Sequence, residues 1–217
     1  MHDPAQAAKE LKRAVTELGF LGAILNDFQT VSHPGKEDTF KMYDQVEYDV
    51  FWKQVQDLEC PVYIHPRMPD STVEKLLYEG RKGVVGSPWS FATGVSLHTL
   101  GLCCNGIFDR FPKVQVIPPI PQHSRLNIQV VIGHLGERIP YDIWRLDSRL
   151  ERLQRHRGVA GEKTIRYYMT HNIHITTSGH FNTPSLKCAL SEMGADRIMY
   201  AIDYPCESYG NRKSHPR

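Results

Sequence analysis

The sequence predicts an α/β fold in which short parallel strands alternate with helices. Three apolar runs rich in β-branched residues each end in a side chain that can bind a metal or transfer a proton: Val62–His65, Val130–His134 and Arg197–Asp203. Two further strands are expected at Gly22–Leu25 and His174–Ser178. The total of about five strands predicts a partial (β/α)8 TIM barrel, because a closed barrel has eight. An open doubly wound sheet is less favoured, since it usually begins with a Gly-x-Gly-x-x-Gly turn that this chain lacks.

Helix start and stop signals define most of the helices. Asp3 and Pro4 supply an N-cap carboxylate and a proline at the first helical position, and Gly19 ends this helix. The polar segment 26–43 predicts a long loop. Helical spacing of apolar residues, together with Ser-Pro and Thr-Pro starts, predicts four more helices, at about 47–58, 87–108, 139–155 and 183–194.

Composition limits the classes of partner and compartment. The chain has 217 residues with 41% hydrophobic and 23% charged side chains, which is ordinary for a globular protein. A formal net charge of +2 gives no strong attraction to nucleic acid or to an anionic membrane, so neither partner is expected. The five cysteines are an odd number without a Cys-x-x-Cys pair, which indicates packed thiols in a reducing compartment. No signal segment or membrane-spanning run is evident, and a cytosolic protein is predicted.

Several motifs occur in a particular order along the chain: His65–Arg67, Gly133–Glu137, Trp144–Asp147, Ile175–Gly179, Gly194–Met199 and Asp203–Pro205. Together they closely resemble the amidohydrolase-related decarboxylases, specifically the 2,3-dihydroxybenzoate and γ-resorcylate decarboxylase group. The resemblance runs from about His2 to Glu207.

The resemblance implies a barrel of the metal-dependent hydrolase superfamily with one divalent metal ion (Zn, Mn or Mg) and no redox cofactor. It implies removal of carbon dioxide from a small aromatic carboxylate of the hydroxybenzoate type, by a homo-oligomer. His65 matches the metal-binding histidine of this family, and Asp203 matches its metal-binding aspartate and proton donor. His134 and Glu137 match its catalytic histidine–glutamate pair. Arg67 could bind a substrate carboxylate through two parallel hydrogen bonds, and a structural ion pair is an equal alternative.

The chain departs from the pattern of this family in three places. No strand near its start carries the Glu-x-His pair that supplies two further metal ligands in the family. An irregular insertion is predicted at about 116–126, where three prolines cannot donate hydrogen bonds to a sheet. Residues 208–217 resemble no part of the family. We therefore expect a barrel fragment over residues 1–207, truncated at both ends, followed by an unrelated tail.

Three functions remain open at this point. The first is metal-dependent, non-oxidative decarboxylation, in the intact protein or a fragment of it. The second is hydrolysis by a member of the same superfamily, in which a metal activates water. The third is a catalytically inactive interaction subunit, because a partial barrel has open sheet edges that favour association. For either enzyme, His65, His134 and Asp203 are expected to face a common cavity.

Overall fold

A five-stranded parallel sheet forms the centre of the fold. The computed structural model describes residues 1–35, 39–112 and 130–206, and for 154–157 the backbone alone. Neighbouring strands of the sheet are parallel, in the order β1-β4-β5-β6-β7. The predicted α/β class, a partial (β/α)8 barrel with about five strands, is confirmed. The strands are β1 (Ala23–Asn26), β2 (Gln29–Val31), β3 (Thr39–Lys41), β4 (Val62–His65), β5 (Val130–Ile132), β6 (Ile173–Thr176) and β7 (Ile198–Met199).

Helices connect the strands of the sheet, as parallel pairing requires. Asp3 caps the first helix as predicted, since its carboxylate accepts hydrogen bonds from the amides of Ala5 and Gln6 at 2.9 and 3.0 Å. Turns of 3₁₀-helix lie at Val46–Tyr48, Lys82–Val84 and Ala195–Arg197, and a π-helical segment covers Glu74–Tyr78. The helices are α1 (Pro4–Thr16), α2 (Asp49–Leu58), α3 (Ser71–Val73), α4 (Ser90–Cys104), α5 (Ile107–Arg110), α6 (His134–Glu137), α7 (Ile139–Arg157), α8 (Ile165–His171) and α9 (Thr183–Met193). All are right-handed except α6, which is a single left-handed turn.

The two faces of the sheet differ in how well they are covered. One face packs against the helices, and its alternate side chains are fully buried: Val62, Ile64, Val130, Ile132, Ile173 and Ile175. The opposite face carries Ile24, Tyr63, Val131 and His174, which are in register across four strands. Ile24 on the edge strand β1 is 75% exposed. The core therefore lies between the sheet and the helices, whereas the opposite face is open at the β1 edge.

The segment 26–43 contains a hairpin rather than only the loop that its polarity predicted. β2 and β3 pair antiparallel, with Thr30 opposite Phe40. Phe28 packs edge-on against Phe40, with ring centroids 5.5 Å apart. Strands of three residues give too short an alternation to be recognised from sequence, so the aromatic contact is the feature that stabilises the pair.

Three other boundaries differ from the prediction. The helix expected over 87–108 is divided into α4 and α5, because Gly106 between them has a left-handed φ of 70°. Helix α8 is an additional element that the sequence did not predict. The strand expected to reach Asp203 ends at Met199, after which Ala201 pairs with the side chain of Thr177.

The predicted insertion at 116–126 and the predicted tail at 208–217 lie outside the described residues. The domain boundary at residue 207 therefore stays a prediction. Among the helices that the structure describes, none is both long and apolar enough to cross a membrane.

We predict that Gly94→Ala destabilises the fold. Gly94 lies on α4, and a β-carbon there would be 1.9 Å from Asp27 Oδ2, too close for any real contact. Alanine normally stabilises a helix relative to glycine by up to about 1 kcal/mol, but here the overlap should lower the free energy of unfolding by about 1–3 kcal/mol. Urea unfolding of Gly94→Ala, Asp27→Ala and the double variant measures the coupling. The double variant should recover most of the loss, and strictly additive effects would contradict the contact.

Candidate active site

The carboxyl ends of the parallel strands carry the predicted site residues. His65 is the last residue of β4 and pairs in register with Asn26 of β1. His134 follows β5 after one glycine, and Asp203 follows β7 by four residues. Parallel strands bring their carboxyl ends to one edge of the sheet, which is where barrel enzymes form their active sites.

His134 and Glu137 lie on a left-handed turn. The five residues His134, Leu135, Gly136, Glu137 and Arg138 have φ values of 50°, 53°, 81°, 50° and 70°. Left-handed backbone costs roughly 1–2 kcal/mol for each residue that has a β-carbon, and such strain is concentrated at functional sites. Glu137 therefore lies in a left-handed turn and not in the first turn of an ordinary right-handed helix. In this turn the side chains of His134 and Glu137 meet.

This turn produces a buried histidine–carboxylate pair. His134 Nδ1 and Glu137 Oε1 form a hydrogen bond, and the Glu137 side chain is only 3% exposed. On its other side, His134 Nε2 lies 4.0 Å from Asp203 Oδ2. The pKa of His134 is raised, first by the hydrogen bond to Glu137 and then by the charges of Glu137 and Asp203, against the opposing effect of burial. The two carboxyl groups thus shift the pKa of His134 in the same direction.

The donor chemistry of His65 and Asp203 fits a divalent cation. His65 Nδ1 donates to the carbonyl oxygen of Pro66 at 2.8 Å, which leaves the lone pair of Nε2 available to a metal. Asp203 presents a carboxylate that is 27% exposed. Imidazole nitrogen with carboxylate oxygen suits zinc or manganese. However, no group of three or more His, Cys, Asp or Glu side chains within the described ranges could hold a metal ion.

Arg67 lies beside the candidate metal ligand His65 and packs on an aromatic ring. Its guanidinium carbon is 4.7 Å from the centroid of Phe28, within the range of a cation–π contact. Its charge also acts on the carboxyl group of Asp27. These contacts place Arg67 near the carboxyl end of β1, and its role in binding substrate stays a prediction.

Asp27 is a residue that the sequence analysis missed. It follows β1 directly, is 1% exposed, and its Oδ1 atom has no hydrogen-bond partner. Burial raises its pKa to about 7, although Arg67 and nearby backbone amides act in the opposite direction. The sequence does contain a signal for Asp27, since this residue follows an apolar strand just as the predicted site residues do. The polar residues that come next favour an ordinary loop and obscure that signal.

Three other histidines, His171, His174 and His180, have different surroundings. His174 is buried in β6, and burial followed by the charge of Arg197 lowers its pKa to about 4, so it is neutral near pH 7. His171 stacks on Tyr167 with ring centroids 4.0 Å apart. His180 Nδ1 donates to the carbonyl oxygen of His134 at 3.3 Å. Of these three, only His180 contacts a predicted site residue, and the atom that it contacts is the backbone carbonyl oxygen of His134.

A large cavity opens beside the histidine–carboxylate pair. Its volume is about 1110 Å³, and its lining includes His134, Glu137, Arg138 and His180 with apolar residues of α7. As far as it is described, this lining does not include His65 or Asp203. A single cavity shared by His65, His134 and Asp203 therefore stays a prediction.

Comparison with known families identifies the family of this chain. The profile of the family described as Amidohydrolase matches residues 1–214. The chain belongs to the amidohydrolase family. Within that family, its sequence is similar to proteins that decarboxylate hydroxybenzoates, in agreement with the resemblance found from the motifs.

Three similar proteins show how far the similarity in sequence and fold extends. A protein named γ-resorcylate decarboxylase from Rhizobium sp. (strain MTP-10005) is 38% identical over 208 residues, which are 96% of this chain and 58% of that protein. A 2,6-dihydroxybenzoate decarboxylase crystallised with 2,6-dihydroxybenzoate has a TM-score of 0.80 and 36% identity over 95% of this chain and 58% of its own. A dihydroxybenzoic acid decarboxylase from Polaromonas sp. JS666, with bound manganese and 2-nitroresorcinol, has a TM-score of 0.82 and 35% identity over 96% and 57%. The chain thus spans less than two thirds of these relatives.

We predict that Asp27→Asn stabilises the protein increasingly as the pH rises. The pKa of Asp27 is about 7 in the folded state against an ordinary value of 3.8. Between these values the folded state holds one more proton than the unfolded state, so wild-type stability falls as pH rises. Each pKa unit corresponds to about 1.4 kcal/mol, so the gain of Asp27→Asn should grow from near zero at pH 4 to about 2–4 kcal/mol at pH 8. Urea unfolding at several pH values measures this difference, and a constant offset would contradict it.

Proposed function

We propose that this chain takes part in metal-dependent, non-oxidative decarboxylation of a hydroxybenzoate-type aromatic acid. The observation that carries the proposal is His134, held between Glu137 and Asp203 at the carboxyl edge of a parallel sheet. Similarity to proteins named γ-resorcylate and 2,6-dihydroxybenzoate decarboxylase supports the reaction and the substrate class. The family relation supports the same conclusion.

A divalent metal is the proposed cofactor, with His65 and Asp203 as the ligands from this chain. Manganese, bound in a similar protein, is the first choice among zinc, manganese and magnesium. When bound, such an ion would offset the negative charge of the substrate and fix its orientation. The exposed Nε2 face of His65 and the accessible carboxylate of Asp203 support this assignment. A third protein ligand is usual in catalytic sites, so two ligands predict weak binding.

Proton transfer is the proposed task of the other site residues. Decarboxylation of an electron-rich ring requires a proton on the carbon that bears the carboxylate. The bond between that carbon and the carboxylate then breaks, its electron pair returns to the ring, and carbon dioxide leaves. Asp203 is the proposed proton donor. His134, whose pKa is raised by Glu137, holds a proton near Asp203 and can replace the one that is lost.

The geometry sets a condition on that exchange. His134 Nε2 and Asp203 Oδ2 are 4.0 Å apart, so they must approach by about 1 Å for direct transfer, as often happens when a substrate is bound. Arg67 is proposed to bind the substrate carboxylate, supported by its place two residues after His65 and by its guanidinium carbon lying over the ring of Phe28.

A second candidate is a catalytically inactive interaction subunit. It is favoured by the exposure of Ile24 on the edge strand β1 and by the lack of a three-ligand group in the part of the chain that is described. Metal content and turnover distinguish this candidate from an enzyme. A metal-dependent hydrolase of the same family is distinguished from a decarboxylase by the product of the reaction.

The proposed partners are a small aromatic carboxylate and further copies of this chain. Exposure of Tyr141 at 82% and Trp144 at 73% on α7 supports self-association. Neither nucleic acid nor a membrane is proposed as a partner, in view of the net charge of +2. A cytosolic location is proposed because all five cysteines are free.

We predict that the 217-residue chain, purified alone, binds Mn²⁺ weakly and decarboxylates 2,6-dihydroxybenzoate slowly or not at all. His65→Ala and Asp203→Ala should each abolish the residual binding, whereas His171→Ala, which removes a histidine stacked on Tyr167, should leave it unchanged. Isothermal titration calorimetry and carbon dioxide release measure the two properties. Stoichiometric metal with the turnover of the relatives would show that other residues supply the ligands.

We also predict that a segment carrying a Glu-x-His strand, fused ahead of α1, raises both metal affinity and turnover. Replacing its glutamate and histidine by alanine is the control. In the fused protein, Glu137→Gln should lower turnover about 10²-fold or more, because a positioned acid–base pair contributes on that scale, while metal content stays unchanged. Loss of metal in Glu137→Gln, or undiminished turnover, would contradict the assigned role of Glu137.

A further inference from the structure

The turn that follows β6 contacts the loop that carries Asp203. The amide of Thr177 donates to the carbonyl oxygen of Met199 at 3.1 Å. The Thr177 hydroxyl donates to the carbonyl oxygen of Ala201 at 2.8 Å and accepts from the amide of Ala201 at 3.1 Å. One side chain therefore continues the pairing beyond the two residues of β7, and it holds the backbone two residues before Asp203.

Gly179, in the same turn, lies against both partners of the His134–Asp203 contact. A β-carbon on Gly179 would be 3.1 Å from His134 Cδ2 and 3.2 Å from Asp203 Oδ2, closer than almost all real contacts. Its φ of +60° is also in the left-handed region that favours glycine. Only glycine lets the backbone of this turn approach both side chains.

Thr176, at the end of β6, and Ser178, in the turn, contact each other, and Thr176 also reaches β4. The Thr176 hydroxyl lies 3.4 Å from Tyr63 Oη on β4 and forms a hydrogen bond with the Ser178 hydroxyl. A β-carbon on Gly133 would be 3.1 Å from Tyr63 Oη and 3.9 Å from both Glu137 Oε1 and Ser178 Oγ. Thr176 and Ser178 are each 4% exposed, so their contacts hold the start of this turn in a buried position.

We infer that Thr177 and Gly179 are positioning residues that set the carboxylate of Asp203 against His134. The inference rests on the proposed function, in which Asp203 binds the metal and supplies the proton. Asp203 lies beyond the end of the sheet and has a left-handed φ of 67°. Its place is therefore determined by the turn after β6, through the Thr177 hydroxyl on one side and the absent β-carbon of Gly179 on the other.

The chain offers matched variants for the test. Thr177→Val removes the hydroxyl and keeps the shape of the side chain, and Thr177→Ser retains the hydroxyl. Gly179→Ala adds a β-carbon at φ +60°, and Gly158→Ala adds one at φ +63° where nothing lies within 4 Å. The two alanine variants thus carry the same backbone strain and differ in their contact with the site.

The first measurement is the NMR chemical shift of the His134 ring in the metal-free, 217-residue chain at one fixed pH. Asp203→Asn supplies the reference shift that follows loss of the carboxylate charge. Thr177→Val and Gly179→Ala should displace the His134 signal, while Thr177→Ser and Gly158→Ala leave it at its wild-type position. The signal of His98, a buried residue of α4 whose Nε2 accepts a hydrogen bond from the amide of Tyr43 at 3.0 Å, should stay unchanged in all variants and reports that the fold is intact.

The second measurement uses Mn²⁺ alone and follows paramagnetic broadening of the same signal. Thr177→Val and Gly179→Ala should need about tenfold more Mn²⁺ for half-broadening, since residues that orient a metal ligand contribute on that scale. If Mn²⁺ leaves the wild-type signal sharp, the proposed metal site fails, and the metal-free measurement still decides the inference. The inference is overturned if Thr177→Val matches wild type, if Thr177→Ser behaves as Thr177→Val, or if Gly158→Ala moves the signal as far as Gly179→Ala.

Discussion

The left-handed turn from His134 to Arg138 is the constraint on which the site depends. Four of its five residues carry a β-carbon and would not adopt this backbone without support. The support comes from tertiary packing, because a β-carbon on Gly136 would lie 3.2 Å from Ile175 Cγ2 and 3.0 Å from the ring of Pro140. The left-handed turn therefore sets the directions of the two side chains that form the His134–Glu137 hydrogen bond.

The parts of this arrangement that depend on local sequence could be predicted, and those that depend on tertiary contact could not. A β-branched run predicts β4, and the proline that follows Asp3 predicts that Asp3 caps a helix. The three β-branched runs end in His65, His134 and Asp203, which indicates these residues as members of the site. By contrast, the left-handed turn has one glycine as its signal, and the hydrogen bonds of Thr177 to Ala201 join residues 24 apart.

The proposed metal binding would be coupled to closure of the sheet. His65 and Asp203 come from β4 and from the loop after β7, and two strands of the sheet lie between β4 and β7. Side chains that far apart can meet one ion only if the sheet curves and further ligands complete the site. Exposure of Ile24 marks β1 as an open edge within the described part of the chain. A segment or partner that covers the β1 edge would also stabilise the curvature of the sheet that the proposed metal binding needs.

Two buried carboxyl groups at the same edge of the sheet show how differently burial can be compensated. Glu137, at 3% side-chain exposure, accepts a hydrogen bond from His134 and raises the pKa of that imidazole. Asp27, at 1% residue exposure, has an oxygen without a partner, and burial raises its own pKa to about 7. A buried charge is costly unless it is paired, so the hydrogen bond to His134 compensates the burial of Glu137, whereas burial favours the protonated form of Asp27. The edge of the sheet therefore has one carboxyl group that is hydrogen-bonded to His134 and a second, that of Asp27, whose pKa is close to neutral.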